Sequence, residues 1–294
     1  MNFYKLIDKN SFYNYLKGMG MGIADLIPGI SGGTVALILG IYSDFINSIR
    51  SFNSDSILYI INLDFKKLSH QINLPFLIPV ILGIITSIIS FSFLVSYLLE
   101  FYREVIFSFF FGLILFSASK IILNLRPSSK IDFLQIFLGI SFGYAISLID
   151  PIGTGQNYFS IFFSGLIAIT AMLLPGISGS YILLILGKYD LIINSLSNFD
   201  YRVILVFASG AIIGVLLFSR IISMLLSQYF RRTILLLSGL MLGALNKLWP
   251  WQIDNENYLP DEYSNILGAD NFIEFSMILF LISFLISFLI KSVK

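Results

Sequence analysis

Two short segments hold the residues whose types and spacing can do chemistry. Pro28-Gly29-Ile30-Ser31-Gly32-Gly33-Thr34 interrupts an apolar run, and Pro175-Gly176-Ile177-Ser178-Gly179-Ser180-Tyr181 interrupts another. Proline cannot continue a helix, and glycine opens backbone angles closed to other residues, so one helix ends and another begins at each site. The first N–H groups of the outgoing helix have no intrahelical acceptor and sit at its positive end, where a phosphate or carboxylate is favoured. Ser31 or Thr34 is positioned to cap the first of these ends. Small residues also let helices approach closely in a membrane, so packing alone is the competing reading of either motif taken singly.

Asp25 is the only charged residue between Lys17 and Asp44. Charges at membrane depth are functional candidates by default. Asp25 can take up a proton or sodium ion that couples to transport, or accept hydrogen bonds from nearby backbone as a structural carboxylate. Arg220, two turns inside its helix, is a candidate for a lipid phosphate and equally for snorkelling to the interface. Lys188, Arg103 and Arg202 fall near helix ends, as interfacial anchors or as collectors of an anionic headgroup. His70 is the single histidine, in a polar stretch over 50–74, and cysteine is absent. Without grouped carboxylates in the apolar region, no catalytic residue, metal site or resident cofactor is expected.

The elements that must position these residues are membrane helices. Hydrophobic residues make up 57% of the chain, charged residues 12%, and mean hydropathy is +0.89. Windows at 75–99, 104–123, 132–149, 203–226, 233–248 and 272–290 are predicted as helices, most of them near the roughly 20 residues needed to cross a bilayer. A net charge of +1 lacks the basic excess expected for a nucleic-acid partner. The N-terminal stretch lacks the cleavage pattern of a removable signal peptide.

The two broken segments are copies. Residues 24–49 and 171–196 agree at 15 of 26 positions with an offset of 147. Further on, Gly83, Tyr102, Gly112 and Lys120 match Gly210, Tyr229, Gly239 and Lys247 at an offset of 127. Asp25 stands opposite Met172, which breaks the symmetry. Tyr42 with Tyr189, and Asn47 with Asn194, recur as packing and capping residues. The expected fold is an all-α polytopic protein, one membrane domain over 1–294 with repeat one at 12–149 and repeat two at 159–291. Each repeat is a Pro-Gly-broken re-entrant hairpin followed by three transmembrane helices.

Loop charge sets the orientation. If both broken segments re-enter, 13 of the 18 basic residues gather on one side, including Lys5, Lys291 and Lys294, and both termini are cytoplasmic. Three crossings per repeat then make the repeats inverted, a plan shared with secondary transporters whose sites lie at the repeat interface. The residues alone leave three functions open: a carrier of a lipid anion, a carrier or channel for a small soluble anion, and an intramembrane enzyme acting on lipid phosphate.

GMGMGIADLIPGISGGTVALILGIY and MLLPGISGSYILLILGKY closely resemble the paired signatures of the bacterial polyprenyl-phosphate transporter family. The resemblance implies a flippase of the bacterial cytoplasmic membrane that returns polyprenyl phosphate, undecaprenyl phosphate above all, to the inner leaflet for carrier-lipid recycling. The family's signatures fall on Asp25, Pro28, Gly29, Ser31, Gly32, Gly33 and Thr34, and on Pro175, Gly176, Ser178, Gly179 and Ser180. Together with Arg220 these are the expected substrate-binding residues, with membrane lipid as the other partner.

Overall fold

The computed structural model describes residues 9–155, 157–254 and 256–290, so the terminal lysines at 5, 291 and 294 lie outside the described residues. The helices in chain order are α1 (Lys9–Asp25), α2 (Gly32–Ile38), α3 (Tyr42–Arg50), α4 (Ser54–Ile61), α5 (Phe65–Gln71), α6 (Leu74–Phe101) and α7 (Arg103–Leu125), followed by α8 (Lys130–Ser147), α9 (Tyr158–Leu173), α10 (Gly179–Ile185), α11 (Tyr189–Ser197), α12 (Tyr201–Ala244), α13 (Pro260–Leu267) and α14 (Ile273–Leu289). A two-stranded antiparallel ribbon pairs Gln252–Ile253 with Glu256–Asn257. All six predicted helices are present, and α6, α7 and α12 are long and apolar enough to cross a membrane.

The stretch over 50–74, read as a polar loop, contains α4 and α5. Asn53 builds a capping box with Ser56, and Asp64 caps the next helix through the Lys67 N–H. Capping residues there outweigh the polar composition that suggested a loop.

Two tyrosines matched in the sequence break their helices in the same way. Tyr102 separates α6 from α7 at φ −141°, ψ 39°, and its counterpart Tyr229 interrupts α12 at φ −133°, ψ 41°. Thus α12 is two helices meeting at a break, as α6 and α7 are.

The chain forms two compact units. The first contains the chain to Leu37, Ile41–Ser90 and Ile149–Phe230; the second contains Ile38–Gly40, Phe91–Leu148 and the chain from Arg231. In the first unit Gly83 of α6 abuts the Tyr15 carbonyl of α1, and Gly210 of α12 abuts the Phe162 carbonyl of α9. Gly18 meets Val80 and Gly165 meets Phe207 in the same correspondence. A side chain at any of these positions would drive the paired backbones apart.

In the second unit the last helix of each repeat packs on the other repeat. Gly112 of α7 lies against Phe280 and Ser283 of α14, and the Lys120 ammonium donates to the Ser287, Phe288 and Ile290 carbonyls that end α14. Gly139 and Gly143 of α8 interleave with Gly239 and Gly243 of α12. The Tyr263 hydroxyl of α13 donates to Glu104, and burial, then that bond, pushes its phenol up to about 12.

Gly83→Ala and Gly210→Ala are each expected to cost about 1–3 kcal/mol, because the added methyl meets a rigid carbonyl. Denaturant titration in detergent or bicelles should show lower midpoints for both. Gly153→Ala, which meets open space, should leave the midpoint unchanged.

Candidate functional site

Each break is built in the same way. Gly29 has φ +89° and Gly176 has φ +93°, a conformation that side chains resist and glycine adopts freely. The helices that leave the breaks, α2 and α10, have seven residues each. Their length of about 10 Å is a third of the hydrocarbon core, too short to cross it.

The two breaks are joined side to side. Thr34 Oγ1 accepts from the Gly176 N–H at 2.8 Å. Ser31 Oγ lies 3.1 Å from Thr34 Oγ1 and 3.5 Å from the Leu174 carbonyl, and it accepts from the Thr34 N–H at 3.3 Å. The Tyr42 hydroxyl donates to the Leu173 carbonyl at 3.0 Å. Gly33 faces the Met172 and Leu173 carbonyls so closely that a methyl group would stand 2.9 Å from the first. Ser31 and Thr34 are fully buried, and Ser178 nearly so. Donors and carbonyls freed by Pro175 thus find partners on the first repeat.

The two helix ends differ chemically. Asp25 Oδ1 accepts from the Gly32 N–H at 2.6 Å, placing a carboxylate on the positive end of α2. Ser31 adds the capping role expected of it. At α10, Ser178 makes no capping bond, and its hydroxyl lies 2.7 Å from that of Ser180. Met172, in the place of Asp25, supplies no carboxylate. Of the two helix ends, the one at α2 is closed by the protein's own anion, the backbone-accepting role that was one of the two readings of Asp25.

The other expected residues are scattered. Pro28 is exposed and Pro175 buried. Arg220 is exposed on α12, and among the described residues no hydrogen bond joins it to either turn. Arg202 is exposed at the start of α12, and Arg103 donates to the Gln252 carbonyl and covers the Phe107 ring. Lys188 is not the interfacial anchor it was read as: it is fully buried, and its ammonium donates to the Thr154 and Gly155 carbonyls. The segment before α9 folds over it, with the Thr154 hydroxyl on the Leu186 carbonyl and the Ile152 N–H on the Ile185 carbonyl.

Sequence reasoning assigned Tyr42 and Asn47 to packing and capping and missed what they hold. Tyr42 ties the two breaks together. Ser223 of α12 donates to Asn47 Oδ1 at 2.6 Å and accepts from Arg50 at 3.1 Å, which fastens α3 to α12. Their recurrence in both copies was the available signal, but recurrence does not say which partner each copy finds. Among the described residues no group of three His, Asp or Glu stands together to hold a metal ion.

Thr34→Val keeps the shape and removes the acceptor of the Gly176 N–H. It should lower stability by about 1–3 kcal/mol, the cost of stranding a buried donor, read as a drop in thermal or denaturant midpoint. Thr34→Ser should retain most of it.

Residues 21–266, which contain both breaks, match the family described as VCA0040-like, undecaprenyl phosphate translocase-like. A Vibrio cholerae serotype O1 protein named polyprenyl-phosphate transporter is 41% identical over 243 residues, covering 83% of this chain and 79% of the relative. A Staphylococcus aureus protein with the same name is 31% identical over 258 residues, covering 81% and 86%. No solved structure matches the chain. On the length of the matched span and the identity to these relatives, the chain belongs to the VCA0040-like, undecaprenyl phosphate translocase-like family.

Proposed function

We propose that this chain carries polyprenyl phosphate, undecaprenyl phosphate in particular, from the outer to the inner leaflet of a bacterial cytoplasmic membrane, with the phosphate handled where the two breaks meet. The observation that carries this reading is the bond from the Gly176 N–H to Thr34, which brings helix ends from both repeats to one place. The names of the two relatives and of the family supply the substrate class.

In this reading the repeats are inverted, the broken segments re-enter, and the basic loops and both termini face the cytoplasm. The prenyl tail stays in lipid while only the headgroup enters protein, since burying an unpaired phosphate would cost several kcal/mol or more. The open end of α10, with Gly179, Ser180 and the Ser178 hydroxyl, is the donor side. Alternating access follows from exchanging the conformations of the two repeats.

Asp25 gives the cycle its coupling. A phosphate and the Asp25 carboxylate are like charges competing for the same kind of helix end, so phosphate is accepted best when Asp25 carries a proton. Protonation also weakens its hold on the Gly32 N–H and frees the end of α2 for the headgroup. Transport therefore rises as pH falls toward the range where Asp25 is protonated.

The test is leaflet-specific disappearance of polyprenyl phosphate from vesicles containing the purified chain. Flux above empty vesicles, faster at lower pH, is expected. Asp25→Asn, a neutral stand-in for the protonated carboxyl, should flatten the pH dependence of the rate. Wild-type rate and pH profile in that variant would remove Asp25 from the cycle, and folded protein without flux would defeat the carrier reading.

A further inference from the structure

The hairpin of α4 and α5 takes no part in the site. It fills the extra connection of repeat one, which lengthens the chain there by the difference between offsets 147 and 127; in repeat two, only Asn198–Asp200 separate α11 from α12. Its inner face is fixed to the protein. Ser56, Leu68 and Ile72 are buried, and the Gln71 amide donates to the Ser51 carbonyl and to Asn53 at 3.2 and 2.7 Å.

Its outer face is apolar. Ile57, Leu58 and Phe65 are half exposed, and Ile61 and Leu63, at the turn between the helices, are each 70% exposed. The membrane-crossing helix α6 begins at Leu74, three residues after α5 ends at Gln71, with only Ile72 and Asn73 between. The apolar face therefore stands where the chain enters hydrocarbon, which is where amphipathic segments bury such residues among lipid headgroups.

Beside this face is a cleft of about 420 Å³ lined by Lys66, Ser69, His70, Asn73 and Pro75. Its lining offers an ammonium, a hydroxyl, an imidazole and an amide, and none of the five is a carboxylate. The nearest acid in sequence, Asp64, is already engaged: Lys67 holds it at 2.9 Å and donates its backbone N–H to it. Lys66 acts on Asp64 only through its charge, without a bond, and lines the cleft.

We infer that the α4–α5 hairpin lies in the membrane interface and that the cleft at the foot of α6 binds the phosphate-bearing headgroup of an anionic phospholipid. Lys66 supplies the charge, Ser69 and Asn73 supply neutral donors, and Ile61, Leu63 and Phe65 lie alongside the acyl chains. This lipid is a bound component of the protein, separate from the transported lipid. The inference does not rest on the transport reading.

The chain has no cysteine, so Leu63→Cys carries a bimane label at one place. The labelled full chain goes into phosphatidylcholine vesicles containing either brominated phosphatidylglycerol or brominated phosphatidylcholine. Both should quench the label, and the anionic lipid should reach half-quenching at a mole fraction about five-fold lower, the change that about 1 kcal/mol from one basic residue produces. Lys66→Gln/His70→Gln should abolish that preference and leave quenching by phosphatidylcholine intact. Absence of quenching by either lipid would overturn the interfacial placement, and equal quenching of the wild-type chain would overturn the headgroup site, whether or not the double variant folds. A preference retained in the double variant would overturn the residue assignment. Loss of the preference in millimolar inorganic phosphate would make the cleft a site for free phosphate instead.

Discussion

A polypeptide that breaks its helix in a buried place must find partners for every donor and acceptor it releases, because no water reaches them. The rest of the first unit follows from how this chain meets that requirement. Pro175 interrupts one repeat, and the groups around it are taken up by Thr34, Ser31 and Tyr42 of the other. The repeats are held to one another through backbone that neither can satisfy alone. A hydroxyl suits the task because it donates and accepts at once, and threonine at 34 does so without flexible length.

Some of the departures from symmetry place a charge in one copy alone. Repeat one has Asp25 where repeat two has Met172, and repeat two has Lys188 where repeat one has Ile41. The carboxylate sits on the positive end of α2, and the ammonium sits under carbonyls of the segment preceding α9. Each is met by dipoles of opposite sense rather than by a counter-ion. The two copies thus hold buried charges of opposite sign at different places on a shared scaffold.

Much of this was legible in the sequence. The positive φ at Gly29 and Gly176 follows from glycine after proline, and the break at Tyr229 follows from its match to Tyr102. Apolar composition and window length marked the six predicted helices. The pairing of Thr34 with Gly176 was not legible, because the residues are 142 apart and nothing in either motif names its partner. Asp25 illustrates the same limit: its position marked it as important, but only the fold shows that Gly32 is its donor. Lys188 was misread because a lysine near a helix end ordinarily reaches water, and the loop that covers it gives no sign of doing so in its sequence. The α4 and α5 helices were missed because capping residues and exposed charge look alike in composition.

The crossed packing of the last helices has a consequence for how the protein is made. α7 lies along α14, and α8 lies along α12, so each third helix rests on the repeat that did not encode it. At ribosomal rates of about 5–20 residues per second, α7 waits on the order of ten to thirty seconds for α14 to emerge. Throughout that interval Gly112 and the Lys120 ammonium face lipid or the insertion machinery without their eventual cover. The first half therefore cannot be finished before the second has been translated. Truncation near the C-terminus damages a helix made long before it, and a free-standing ancestral half would have had to borrow its third helix from a second copy.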